Sequence, residues 1–419
     1  MEKEIYPGVT LTVIPTKQFT TTQIIVSFTG VIPDANYLTT RSLLAYMLET
    51  SSQKWPTQKA VAQKLSQMYG ASFGTTINRR GRTHSLSFVA GVVHDNYLQT
   101  DTDLVQEAVM FLKEMIFHPL VKEGAFDEDT FKLQKSNLAT YMESVDEDPR
   151  LMALYGLRSH YFDDPSQKVP QFGTPATLKD VTNQDLYQAY RTMVTKDQVN
   201  IIVTGDVDPA TIMGLVATLP LGPRTKLDST IQYDQPAQGS VRKVTVKQQL
   251  QQTKLNFMYH LPLDLNSNDF FAAIVFNALF GGDPQSKLFM NVREKSSMAY
   301  YASSNFDVLR NVLWVQTGIE TANKEKVKKL VVAQLAALQQ GDFTMATVEN
   351  IKKSLINERI SREDTQATLG TRALIGNLLG RQYSTAEWCQ RIKNITKDDI
   401  VTIAQQASLQ LVYCLEGGH

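Results

Sequence analysis

Cysteine is nearly absent: Cys389 and Cys414 are the only two in 419 residues, too few for a disulfide framework. There is no excess charge either. The 42 Lys and Arg balance 42 Asp and Glu, and no basic run exceeds two residues, which excludes the basic footprint of a nucleic-acid binder. No window approaches the roughly 18–20 consecutive apolar residues of a membrane span. The first residues, MEKEIYPGV, mix charges and lack an apolar segment, so no secretory leader is expected. None of the six histidines (His84, His94, His118, His160, His260, His419) has a partner four residues away. That spacing is how one helix offers two imidazoles to zinc. Gly281-Gly282 is followed by no Lys-Ser/Thr in phosphate-loop spacing, so a helix stop explains it better. These absences leave a soluble protein of a reducing compartment, expected in the cytoplasm, with neither nucleic acid nor membrane as partner.

A hydrophobic fraction of 42% and a charged fraction of 20% are those of a globular protein. The length suggests about two to three domains. Strands are expected at 11–14 and 23–28, where β-branched residues cluster. A markedly apolar helix follows at 36–52, with Leu38, Leu43, Leu44, Tyr46, Met47 and Leu48 and no charge from Leu43 through Leu48. So many apolar positions predict a helix packed on most sides. A second helix at 57–68 starts after Trp55-Pro56 and stops at Gly70. Strands at 71–78 and 84–91 flank the turn Arg79-Arg80-Gly81-Arg82, and a helix covers 102–117. A long helical region, 126–162, is broken at Asp148-Pro149; a helix at 184–194, a buried strand at 198–205 and a last helix at 209–218 complete the first half. After residues 221–240, rich in Pro, Gly, Asp and Gln, the order repeats: two strands, two helices, two strands, further helices and a final strand at 410–414. The expectation is an α+β fold of two homologous domains, 1–220 and 241–419, joined by a linker at 221–240. Each domain would hold a mixed, mostly antiparallel sheet with helices on one face. Trp55, Trp314 and Trp388 read as core or interface anchors.

Several strings resemble the pitrilysin/insulinase-type zinc peptidases, the inverzincins, across both halves. They are Phe172-Gly173-Thr174, DLYQAY at 185–190, IIVTGDVD at 201–208 and, above all, GGDPQSKLFMNVREKSSMAY at 281–300. Active members of that family carry H-x-x-E-H on the first apolar helix. Aligned on Met47-Leu48, this chain has Ser42, Ala45 and Tyr46 at those positions. Tyr141 falls at the third ligand, with Glu143 the nearest carboxylate. Catalytic zinc needs three ligands such as His₂Glu, and the general base must be a carboxylate. The resemblance therefore implies a member with no catalytic residues and no metal of its own. It also implies that Arg293 and Tyr300 hold a bound peptide, a role suited to a guanidinium fork and a phenol. Ser297 stands where the family has Gly, and Tyr301 is a neighbouring phenol.

Half-length relatives form two-chain clamshells. The resemblance thus implies a catalytically inactive, peptide-binding subunit that complements a zinc-bearing partner. The assembly would be a heterodimer with an H-x-x-E-H-containing relative or a homodimer, with zinc only in the partner. The alternative is a structural or assembly subunit with the same fold and no peptide binding. An active peptidase with unfamiliar ligands is disfavoured, because the first helix supplies none.

Overall fold

The computed structural model describes residues 1–418 apart from 101, 228–230, 266 and 268. The middle of the expected linker, 228–230, and His419 lie outside the described residues. Two sheets form. The first contains β1 (Glu2–Tyr6), β2 (Val9–Pro15), β3 (Thr21–Val31), β4 (Ser72–Arg80), β5 (Thr83–Val93) and β6 (Gln198–Gly205), in the spatial order β1-β2-β6-β3-β5-β4. The second contains β7 (Arg242–Gln248), β8 (Thr253–His260), β9 (Tyr301–Asp307), β10 (Val312–Ile319) and β11 (Ser408–Gly417), in the order β9-β10-β8-β11-β7.

The two orders match strand for strand. In the first sheet β2 runs parallel to β6 (Val9 opposite Val199), and β6-β3, β3-β5 and β5-β4 are antiparallel. In the second, β7 runs parallel to β11 (Arg242 opposite Leu411), and β11-β8, β8-β10 and β10-β9 are antiparallel. The repeated element order is thus a repeated topology. Of the described strands in these two large sheets, only β1 has no counterpart.

The helices that position the site are α1 (Ala35–Thr50), α2 (Glu128–Asp146), α3 (Pro149–Tyr161), α4 (Asn183–Lys196) and α5 (Gln366–Leu379). Asp34 caps α1 by accepting from the Tyr37 amide. Asp148 caps α3 by accepting from the Arg150 and Leu151 amides, and Pro149 follows it at a position that needs no N–H. That explains the break expected at Asp148-Pro149.

The chain builds two compact units that are discontinuous in sequence. The first holds Met1–Glu143, Pro170–Ile231 and Arg362–Gln382; the second holds Ser144–Val169, Gln232–Ser361 and the chain from Tyr383 on. The linear division into 1–220 and 241–419 does not describe this, because 144–169 and 362–382 each join the unit of the other half. Period-two alternation accommodates the arrangement. In the second sheet Leu255, Phe257 and Tyr259 face a core shared with helices of the C-terminal half, whereas Met258, Leu411 and Tyr413 pack with Ala153, Leu157 and Tyr161 of α3. In the first sheet Ile25 and Ile202 pack against Ala373 and Leu374 of α5. Each sheet therefore gains a helix on its second face, beyond the single helical layer the sequence suggested. Among the described residues no helix is long and apolar enough to cross a membrane.

Candidate functional site

The positions aligned with metal chemistry lie in the first unit. Ser42, Ala45 and Tyr46 share one face of α1, as spacings of three and four residues require. Ser42 is fully buried, and its Oγ donates to the Leu38 carbonyl at 2.8 Å. Ala45 is buried and has no donor atom. Tyr46 is half-buried; burial, then the neighbouring Tyr141 and Glu49, push its phenol above the usual range. Tyr141 reaches this place from α2, exposed, with its ring 5.2 Å from Phe172. Glu49, one turn beyond Ala45, accepts from the amide and hydroxyl of Thr75 on β4 at 2.9 and 2.7 Å. The structure thus brings two phenols, a buried hydroxyl and a methyl group to one place. This donor set does not fit a zinc ion, since a phenol held neutral and a hydroxyl already bonded to backbone are no substitute for two imidazoles and a carboxylate.

Arg293 and Tyr300 lie in the second unit, on the rim of one cavity of about 400 Å³ that Ser297, Glu320 and Asn323 also line. Arg293 sits in the wide helical turn Phe289–Glu294, where the Lys295 amide bonds the Met290 carbonyl five residues back. Such π-type turns insert an extra residue and recur at functional sites. The guanidinium lies 4.6 Å from the Phe289 ring centroid, and its Nε is 3.6 Å from Glu294 Oε1. Both ion-pair partners are more than two-fifths exposed, so the pair is weak and the guanidinium can change partners. Tyr300 is 55% exposed, and its amide donates to the Gly318 carbonyl at 2.8 Å, fixing it at the start of β9.

Tyr301 is placed differently. The Arg150 guanidinium stacks 4.3 Å from its ring centroid, and burial pushes its phenol up to about 12. Consecutive strand residues face opposite sides, so of the two phenols Tyr300 is the one at the cavity. Ser297 adopts φ 49°, a left-handed conformation that glycine takes without strain.

Sequence reasoning missed the group that holds α1. Arg41, beside Ser42, is 1% exposed. Its Nη1 donates to Asp197 Oδ2 at 2.5 Å and its Nη2 to the Phe28 carbonyl at 2.8 Å. Asp197 caps the end of α4, one residue before β6. The available signal was a lone arginine in an otherwise apolar helix.

Comparison with known proteins accords with this geometry. The family model described as "Peptidase M16 inactive domain" matches residues 180–355. A Bacillus subtilis (strain 168) protein described as "Probable inactive metalloprotease YmfF" is 26% identical over 423 residues, covering 99% of this chain and 97% of that protein. A solved structure of a conserved protein from Enterococcus faecalis V583 is 37% identical, with a TM-score of 0.94 over 100% of this chain and 98% of that one. The solved "peptidase M16 inactive domain from Pseudomonas fluorescens" is 16% identical, with a TM-score of 0.81 over 100% of this chain and 98% of that one. Placed beside Ser42, Ala45 and Tyr46 on α1, these likenesses establish that the chain belongs to the M16 peptidases, the pitrilysin/insulinase-type inverzincins, as a member without the H-x-x-E-H motif.

Proposed function

We propose that this chain is a catalytically silent, peptide-holding subunit that completes a cytoplasmic peptidase together with a zinc-bearing relative. The observation that carries the proposal is a contrast between two sets of residues. The positions for metal chemistry hold Ser42, Ala45, Tyr46 and Tyr141, whereas Arg293 and Tyr300 stay exposed on the rim of one cavity. An exposed guanidinium with a weak partner and an exposed phenol can bond the carbonyls of an extended peptide. The aligned positions on α1 hold no carboxylate, and the one on the next turn, Glu49, is bonded by Thr75. Hydrolysis therefore falls to the partner, and this chain contributes position.

The test starts from co-purification out of the native host and identification of any stoichiometric partner carrying H-x-x-E-H. On the reconstituted complex, Arg293→Ala should lower peptide affinity by about one to two decades, the range of a lost charge-assisted bond. Tyr300→Phe, which keeps the ring, should lower it less. Thermal melting of the isolated variants should stay within about 0.5 kcal/mol of the parent, because both side chains are exposed. If both variants leave the complex unchanged, or no such partner exists, the chain is a structural subunit instead.

A further inference from the structure

The second sheet lacks the outer strand that the first sheet has, so the strand equivalent to β2 is itself an edge. In the first unit β1 pairs antiparallel with the outer side of β2, from Glu2 opposite Thr12 to Tyr6 opposite Val9. The counterpart of β2 is β7. It pairs with β11 on one side and, among the described residues, with no strand on the other. Lys243, Thr245, Val246, Lys247 and Gln248 are all exposed along it. An open edge offers a row of unpaired backbone donors and acceptors.

We propose that the free edge of β7 accepts an extended acidic segment of another polypeptide as an antiparallel sixth strand. The chain supplies its own template for the occupant. The strand filling this place in the first sheet is Glu-Lys-Glu-Ile-Tyr, with carboxylates at alternate positions. β7 itself, Arg-Lys-Val-Thr-Val-Lys-Gln, carries no carboxylate. Arg242 is committed, its Nη2 donating to the Tyr161 carbonyl at 3.0 Å. Lys243 and Lys247 share one side of the pleat, with Val244 and Val246 on the other. The carboxylate opposite Lys247 in the β11 pairing, Glu416, is bonded by Lys324 at 2.6 Å. An incoming strand alternating acidic with apolar residues would set carboxylates against the two lysines and apolar side chains beside the valines. A second copy fits poorly. Two β7 strands paired about Thr245 would oppose Lys243 to Lys247, and like charges directly opposite are destabilising. Edge lysines deter indiscriminate pairing, and an acidic strand turns that deterrent into attraction.

The probe is a blocked nonapeptide alternating glutamate with valine, and the control is its lysine–valine analogue. Amide hydrogen exchange is followed on the full chain. The glutamate peptide should slow exchange of the outward β7 amides at least tenfold at saturation, and the lysine peptide should not. Lys243→Glu/Lys247→Glu, two exposed changes, should weaken the glutamate peptide at least tenfold and bring the lysine peptide into binding. No protection at β7, equal binding of the two peptides, or an unchanged double variant would overturn the proposal. So would dimerisation of the free chain that protects the same amides, which would assign the edge to a second copy.

Discussion

Replacing Arg41 by methionine should cost the first unit about 3–5 kcal/mol, although Arg41 lies outside the proposed peptide contacts. The magnitude follows from what the guanidinium joins. The Arg41 and Asp197 side chains are 2% and 5% exposed, so both charges are out of water. With Arg41 gone, the other cation acting on Asp197 is Arg224, whose Nη1 donates to the Asp197 backbone carbonyl. The Phe28 carbonyl would also lose its donor from Nη2. Asp197→Asn should cost a comparable amount by stranding the guanidinium. The double variant Arg41→Met/Asp197→Leu removes both charges and should recover most of the loss, since apolar replacement of a buried pair is often neutral. Urea unfolding at equilibrium measures all three, with fluorescence of Trp55, the one tryptophan of the first unit, as reporter. A coupling energy of about 2 kcal/mol or more is expected between the two positions. Single losses below about 1 kcal/mol, or strictly additive losses, would refute the reasoning.

His84 is fully buried with Nε2 3.1 Å from the Gln171 carbonyl, and burial, then the Arg41 charge, holds its pKa well below the ordinary value. Above a pH of about 6.5 both folded and unfolded forms are neutral; below it the unfolded chain binds a proton that the native chain refuses. Stability should therefore fall by up to about 1.4 kcal/mol per pH unit as the pH drops, and His84→Gln should flatten the slope by one proton; equal slopes would contradict this. Ser297→Gly should raise stability by about 0.5–1 kcal/mol by relieving a left-handed serine, and a lower melting temperature would argue against strain there. Gly156→Ala should cost about 1–2 kcal/mol despite the better helix propensity, because its Cβ would meet the Tyr413 hydroxyl at 2.3 Å. Gly370→Ala, facing the flexible Ile25 Cδ1 at 2.7 Å, should cost less, and the reverse order in thermal melts would refute the packing argument.

The parts of the fold legible in the sequence were those written in local period and punctuation. β-Branched runs marked the first strands, Asp148-Pro149 marked a break that proves to be a cap, and the repeated order marked the duplication. β1 was missed because Glu-Lys-Glu-Ile-Tyr has no apolar face; its pairing with β2 is a backbone matter. The exchange of α3 and α5 between the units was missed because no local signal says which sheet a helix will cover. Their packing contacts, Gly156 on Tyr413 and Gly370 on Ile25, lie more than 200 residues apart in sequence. The wide turn carrying Arg293 was missed for a similar reason. A π-type turn has no residue signature, and Leu288 and Val292, buried in the core beneath it, reveal it only once folded.

The same residues explain how α1 can do without metal chemistry. Metal binding to a native site adds to folding free energy, so a helix without a metal must be held by its own contacts. Here the helix is held by other means. Arg41 ties it to β3 and to the entry of β6, Asp34 caps its start, and Leu38, Leu43, Leu44 and Leu48 are fully buried. Of the aligned positions Ser42 and Ala45 are closed over by the protein, while Tyr46 and Tyr141 keep access to solvent. At the aligned positions α1 presents outward only the Tyr46 phenol, and the exposed Glu49 one turn on is engaged by the Thr75 amide and hydroxyl. Chemistry and architecture on this helix therefore rest on different side chains: Ser42, Ala45 and Tyr46 on one side of the account, Arg41 on the other. A substitution at Tyr46 should leave α1 in place, whereas one at Arg41 should loosen it, and that difference is what separates a silent relative from a failing fold.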